Sequence, residues 1–159
     1  MTFNAIIDAP FGKVGIRTDG STVREIVYLP LSAHCVEPDT PLAQAAADQI
    51  HRYFDDPSMH FDLPLASRGT AFQRRVWRAI SSIPPGDVLT YGQLAQSIGS
   101  VPRAVGQACG SNPLPIVVPC HRVVAASGLG GFAHHAGDNF FTDVKRWLLA
   151  HEGVLIARA

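Results

Sequence analysis

Cys120, His121 and Arg122 are consecutive, and this triplet concentrates the most reactive chemistry in the 159-residue chain. A cysteine of ordinary pKa is only a few per cent thiolate at neutral pH, so a thiol nucleophile needs an adjacent base or a helix terminus. His121 is the nearest base in sequence. Consecutive side chains of an extended segment point to opposite faces, so His121 would act through a water and would need a third group, such as Glu152, to orient its ring. Ile116-Val117-Val118 reads as a short buried strand or extended segment ending at Pro119. That places the thiol at a strand-to-turn corner, held by backbone and not by a flexible loop.

Three cysteines, Cys35, Cys109 and Cys120, are odd in number and widely spaced, which suggests neither a disulfide framework nor a zinc knuckle. Cys109 has no adjacent base and is read as a packing residue. Three chemistries remain open at Cys120. A cysteine hydrolase would add an orienting Asn or Asp and an oxyanion hole. A metal site would use Cys120, His121 and His134-His135, although that spacing is unlike a zinc site. In the third, the thiolate attacks an alkyl carbon on damaged DNA.

Charge bears on the third reading. The chain has 13 basic and 13 acidic side chains, and zero net charge argues against a large surface for phosphates. The sum hides an asymmetry. Residues 1–65 carry four basic against nine acidic groups, and residues 66–159 carry nine basic against four acidic. An acidic partner should therefore meet the second half. The 47% hydrophobic and 16% charged composition is that of a globular protein. No apolar stretch reaches the roughly 20 residues of a membrane span, and the first residues lack a signal-peptide pattern, so a cytoplasmic protein without membrane association is expected.

The elements that must position these residues follow from periodicity. Phe3–Ile7, Lys13–Arg17 and Val23–Leu29 read as an antiparallel meander, with turns at Pro10-Phe11-Gly12 and Asp19-Gly20-Ser21. A helix from Leu42 to Phe54 follows Thr40-Pro41, and Phe61–Leu65 could add a short strand. The composition changes near Ser67, which predicts domains over 1–66 and 67–159. From Thr70, Phe72, Val76, Trp77, Ile80 and Ile83 mark an amphipathic helix stopped by Pro84-Pro85-Gly86. Thr90 and Gln93 form a capping box before Leu94, Ala95 and Ile98. Gly99-Ser100 closes that helix, and Ser100 is expected to cap the next, Pro102–Gly110. Two short helices joined so tightly resemble a helix-turn-helix. Ser127–Gly131 is a glycine-rich loop, and Val144–Glu152 is a closing helix with Gly153 beyond it.

Residues 116–124, containing Pro119-Cys120-His121-Arg122-Val123, resemble the active-site signature of the O6-alkylguanine-DNA alkyltransferases. The resemblance extends in order through Gly69-Thr70-Ala71-Phe72-Gln73, Val76-Trp77, Ile83-Pro84-Pro85-Gly86, Thr90-Tyr91-Gly92-Gln93-Leu94-Ala95, Arg103-Ala104-Val105-Gly106, Asn112-Pro113 and Lys145-Arg146-Trp147-Leu148-Leu149, to Glu152-Gly153. It implies an α+β fold: a small N-terminal ribonuclease-H-like α/β domain, then a mainly helical, winged-helix-like domain with a helix-turn-helix.

The resemblance further implies stoichiometric, irreversible transfer of an alkyl group from guanine O6 in duplex DNA to Cys120, after the damaged nucleotide is flipped out. His121 would draw the thiol proton through a water, Glu152 would hold the imidazole, and Tyr91 would protonate the departing base and press on a phosphate. Arg103 would fill the gap in the stack. Ala104, Gly106 and Ser111 would complete the DNA contact, in the minor groove, where little sequence preference is expected. Asn112, Val123, Phe132 and Ala133 would line the substrate pocket, the carbonyls of Cys120 and Val123 selecting guanine. No cofactor and no metal are expected, and the free protein would be monomeric. The stretch from Phe132 to Phe141 is longer than in the family, with Phe132 where a tyrosine is usual, and Phe140 and Phe141 are read as anchoring it to the core. A lesion sensor of this fold would carry tryptophan or alanine at position 120.

Overall fold

The chain opens as three antiparallel strands, β1 (Ala5–Ala9), β2 (Gly12–Asp19) and β3 (Thr22–Leu29), lying side by side in chain order. The computed structural model describes residues 2–131 and 139–155. Register is set by one apolar face: Val14 stands opposite Ile7 and Tyr28, and Ile16 opposite Ala5 and Ile26. All six are buried. A one-residue slip would turn this whole set to the other face, so burial itself holds the register.

Helix α1 (Pro41–Asp55) packs on the sheet through Ala43, Ala46, Ala47, Ile50 and Tyr53, a helical stripe that leaves its polar face to solvent. Thr40 caps it by accepting from the Ala43 amide at 3.1 Å, and Pro41 occupies a first-turn position where no amide is needed. The strand expected over Phe61–Leu65 does not form. Pro64 has no amide to donate, and the Gln49 side chain takes both backbone groups of Asp62, at 3.0 and 2.8 Å. Only Leu65 makes a bridge, to Val23.

Backbone contacts divide the chain into two compact units, Met1–Ser67 and Arg68–Ala159. The second opens with α2 (Ala71–Ser81), whose capping box pairs Thr70 with Gln73. It continues through β4 (Leu89–Thr90), α3 (Tyr91–Ile98) and α4 (Pro102–Gly110). A 3-10 turn at Cys120–Arg122 leads into β5 (Val123–Val124), parallel to β4, and α5 (Phe140–His151) follows. The core joins Val76 and Ile80 of α2, Leu94 and Ala95 of α3, Val105 and Ala108 of α4, and Val144, Leu148 and Leu149 of α5. The Trp77 indole donates to the Ala108 carbonyl at 2.8 Å and ties α2 to α4. Five α-helices and a small antiparallel sheet, among the described residues, make the chain α+β as expected.

The helix pair differs from its sequence reading at one residue. Gly99 takes the left-handed conformation at φ 68°, and the Ser100 amide returns to the Ala95 carbonyl at 2.8 Å, so Ser100 closes α3. Val101 is the N-cap of α4, without a side-chain cap. The last helix begins at Phe140, four residues before the expected Val144, because Asn139 accepts from the amides of Phe141 and Thr142. Phe140 and Phe141 thus lie in its first turn, ring edge to ring face at 5.4 Å. Among the described residues, no helix is long and apolar enough to cross a membrane.

Candidate active site

The segment entering Cys120 is a folded turn and not the extended run its β-branched residues suggest. The Val118 amide donates to the Leu114 carbonyl at 2.9 Å, and Ile116 at the apex is left-handed, φ 72°. A β-branched residue in that region costs about 1–3 kcal/mol and persists only where its surroundings hold it. Asn112 is the holder. Its carbonyl oxygen accepts from the Leu114 amide at 2.9 Å, and its amide nitrogen donates to the Val118 carbonyl at 2.9 Å.

The same Asn112 nitrogen lies 3.1 Å from Cys120 Sγ. Asn112 stands just past the Ser111 cap of α4, and its backbone amide donates to the Cys109 carbonyl at 3.2 Å. One side chain therefore connects the end of α4 to the reactive sulfur. Cys120 is buried, which raises its thiol above the ordinary range, while the Asn112 hydrogen bond and the Lys145 ammonium pull it partly back. It rests as a thiol.

His121 and Glu152 are both fully buried at their side chains, with Nε2 2.7 Å from Oε2. Burial holds the imidazole below its usual pKa despite Glu152, so the ring is neutral at pH 7. With Nε2–H donated to the carboxylate, Nδ1 carries the lone pair, and this buried atom has no hydrogen-bond partner. A protonated thiol, a neutral imidazole whose Nδ1 keeps its lone pair and a carboxylate on Nε2 are the protonation states that general-base chemistry needs, unlike those of a pre-formed thiolate–imidazolium pair. Glu152 also accepts from Arg122, Nε to Oε1 at 2.8 Å and Nη2 to Oε2 at 2.9 Å.

The pairing of Thr90 with Val124 brings the start of α3 beside this turn. Tyr91, the first residue of α3, is half-buried and donates its hydroxyl to the Gly131 carbonyl at 3.3 Å. Burial, then the two nearby cysteines, push its phenol upward, so it is a proton donor. Lys145 is the residue that sequence reasoning missed. Its ammonium, with no solvent exposure, donates to Val123 O at 2.8 Å and Gly131 O at 2.9 Å and lies 3.5 Å from the Tyr91 hydroxyl. Burial lowers its pKa to about 8, with Cys120 and Cys109 opposing the shift. The signal was available: Lys145 falls on the stripe of Val144, Leu148 and Leu149, where a charge has no reason to be unless it has a partner inside.

On α4, Val105, Ala108 and Cys109 face inward. Arg103 is exposed, Ala104 and Gly106 are partly exposed, and Ser111 is exposed at the C-cap. The Val123 carbonyl, expected to face a base, already receives Lys145, and the Cys120 carbonyl receives the Val123 amide. Phe132 and Ala133 lie outside the described residues. Among those described, no cluster of three or more His, Cys, Asp or Glu side chains is placed to hold a metal.

A tight helix pair with an exposed arginine, joined through Asn112 to a buried cysteine that precedes a histidine–glutamate pair, defines a thiol protein with a helical hairpin beside its reactive group. Residues 71–154 match the DNA-binding domain of 6-O-methylguanine DNA methyltransferase. The chain is 42% identical over 129 residues to the methylated-DNA–protein-cysteine methyltransferase of Mycobacterium bovis, covering 77% of this chain and 78% of that protein. It is 35% identical over 159 residues to the Methanosarcina acetivorans protein of the same description, covering 95% and 98%. The crystal structure of Mycobacterium tuberculosis OGT in complex with DNA superposes with a TM-score of 0.77 at 39% identity, covering 93% of this chain and 91% of that one. The chain belongs to the methylated-DNA–protein-cysteine methyltransferase family.

Proposed function

We propose that this protein repairs duplex DNA by moving an alkyl group from guanine O6 to Cys120 and is consumed in doing so. The observation that carries the reading is the Asn112-held thiol beside a neutral His121 whose Nδ1 is unpartnered and whose Nε2 is committed to Glu152. His121 takes the thiol proton through a water, Sγ attacks the alkyl carbon, an S–C bond forms and the C–O6 bond breaks. Tyr91 supplies a proton to the departing guanine, with Lys145 alongside. The product is a thioether, which has no easily displaced group and regenerates no thiol. No cofactor enters this balance.

Duplex DNA bearing O6-alkylguanine is the partner, as the Mycobacterium tuberculosis relative in complex with DNA supports. The exposed face of α4 enters the minor groove, where Ala104 and Gly106 permit close approach. Arg103 fills the stack, Tyr91 and Ser111 contact backbone, and the damaged nucleotide is extruded, at a cost of a few kcal/mol that a poorly paired base reduces. Asn112 and Val123 border the extruded base. We place the protein in the cytoplasm as a monomer. The test is product formation with lesion duplex in excess. A plateau at one repaired duplex per chain is expected, and continued turnover would instead indicate a cysteine hydrolase.

A further inference from the structure

We propose that Arg122 is a positioning residue for this transfer: its guanidinium fixes the Glu152 carboxylate and offsets its charge, so that His121 stays a neutral base with Nδ1 free to accept. The inference rests on the reading of Cys120 as alkyl acceptor and adds a residue that does not touch substrate.

Among the described residues, Arg122 and His121 place donors on both oxygens of Glu152. Arg122 Nε reaches Oε1 at 2.8 Å, and Arg122 Nη2 at 2.9 Å shares Oε2 with His121 Nε2 at 2.7 Å. The remaining guanidinium nitrogen, Nη1, donates to the Ile83 carbonyl at 2.6 Å, so the chain following α2 anchors the fork. Two parallel bonds define the carboxylate plane, and that plane sets the direction of the imidazole N–H. The fork thus selects the Nε2–H tautomer, the one that leaves Nδ1 with its lone pair.

The charge matters as much as the geometry. A buried carboxylate facing a histidine with no other partner draws a proton onto the ring, and an imidazolium cannot act as a base. Burial opposes this first, and Arg122 and then Lys145 from α5 add to it, while Glu152 favours the charged ring. From α2, Val76 and Ile80 are buried, whereas Arg74, Arg75 and Arg78 are exposed. Arg122 is a cation bonded directly to the carboxylate that bonds His121.

The experiment is the pH dependence of single-turnover methyl transfer by the full chain, measured with an O6-methylguanine duplex. In Arg122→Gln, the acid limb is expected to move up by about one pH unit. Transfer on the acid limb, below both values, should then fall roughly tenfold and recover as pH rises above the displaced limb, with duplex affinity unchanged. Arg122→Lys keeps charge without the fork, and Arg122→Gln/Glu152→Gln removes both charges and leaves no buried ion unpaired. Both should be slower than wild type with the limb where wild type has it. If the single Gln variant does not fold, these two carry the test, since a limb displaced upward in either overturns the proposal. An unmoved limb in Arg122→Gln, with a rate loss equal at every pH, also overturns it. A wild-type protein that transfers no methyl would instead defeat the underlying reading.

Discussion

Lys145 and Tyr91 converge on one oxygen, the Gly131 carbonyl, which the ammonium reaches at 2.9 Å and the phenol at 3.3 Å. The carbonyl fixes both donors, and the cation lies 5.7 Å from the tyrosine ring centre. Lys145→Met should therefore lower single-turnover transfer by at least about tenfold, because both the thiolate and the departing base lose stabilisation. Stability gives a second readout. The folded amine, at about 8, sits below its unfolded value, so the unfolded chain binds more protons between the two and stability rises with pH across that window. The buried thiols titrate in the opposite sense nearby. The wild-type minus Lys145→Met difference in Tm between pH 8 and 10 isolates the lysine.

Two thiols are buried close to this site, and only one should react. Burial, and then Cys120, push Cys109 up to about 12, and Lys145 only partly opposes them. Cys120→Ala should abolish methyl transfer. Cys109→Ala should retain it and lose on the order of 1 kcal/mol of stability, a small cavity in α4. Denaturant melts and transfer assays on both variants separate the two roles.

His121 should leave a mark on stability as well as on rate. Its folded pKa lies below the unfolded value, so its contribution is fully present above the unfolded value of 6.5 and is lost as pH falls toward the folded value. Tm should decline from pH 7 toward pH 5, and less steeply in His121→Gln, as calorimetry across that range would reveal.

Gly106 offers a change with opposite effects on fold and function. A Cβ built there meets no atom within 4 Å, and the residue is interior to α4. Gly106→Ala should stabilise the protein by about 0.5–1 kcal/mol through helix propensity. If this face approaches DNA closely, the same methyl group should weaken duplex binding. A stabilised variant with undiminished affinity would remove Gly106 from the interface.

Electrostatic binding should be modest. Of the nine basic side chains in residues 66–159, Arg122 and Lys145 are buried, so the count of charges overstates what phosphates can meet. The slope of log affinity against log salt should correspond to a few phosphates, at about 0.9 per contact. Arg103→Ala should weaken lesion-duplex binding while leaving Tm unchanged, since Arg103 is exposed.

Most of the fold was legible because periodicity, caps and glycines agree. The Thr90–Gln93 capping box predicts the start of α3, and the apolar stripe predicts α1 within two residues at each end. What failed was decided by side chains distant in sequence or by competition for one amide. Ile116-Val117-Val118 has strand composition between two prolines, yet Asn112 folds it into a turn. Ser100 has the right chemistry for a cap, yet its amide closes α3. Within the site, the cysteine and histidine were visible from chemistry alone, and Glu152 as one candidate orienting group. Lys145 was marked only as a charge on an apolar stripe, because its partners, two backbone carbonyls and a hydroxyl, lie outside α5.

The position of the transferred group tests the central claim most directly. The protein is to be reacted with a duplex carrying one O6-methylguanine whose methyl is isotopically labelled, then digested and mapped by mass spectrometry. The account predicts one labelled methyl per chain, as a thioether on the peptide that contains Cys120. Label on Cys109 or any other residue, or repaired duplex with no label in the protein, would contradict it.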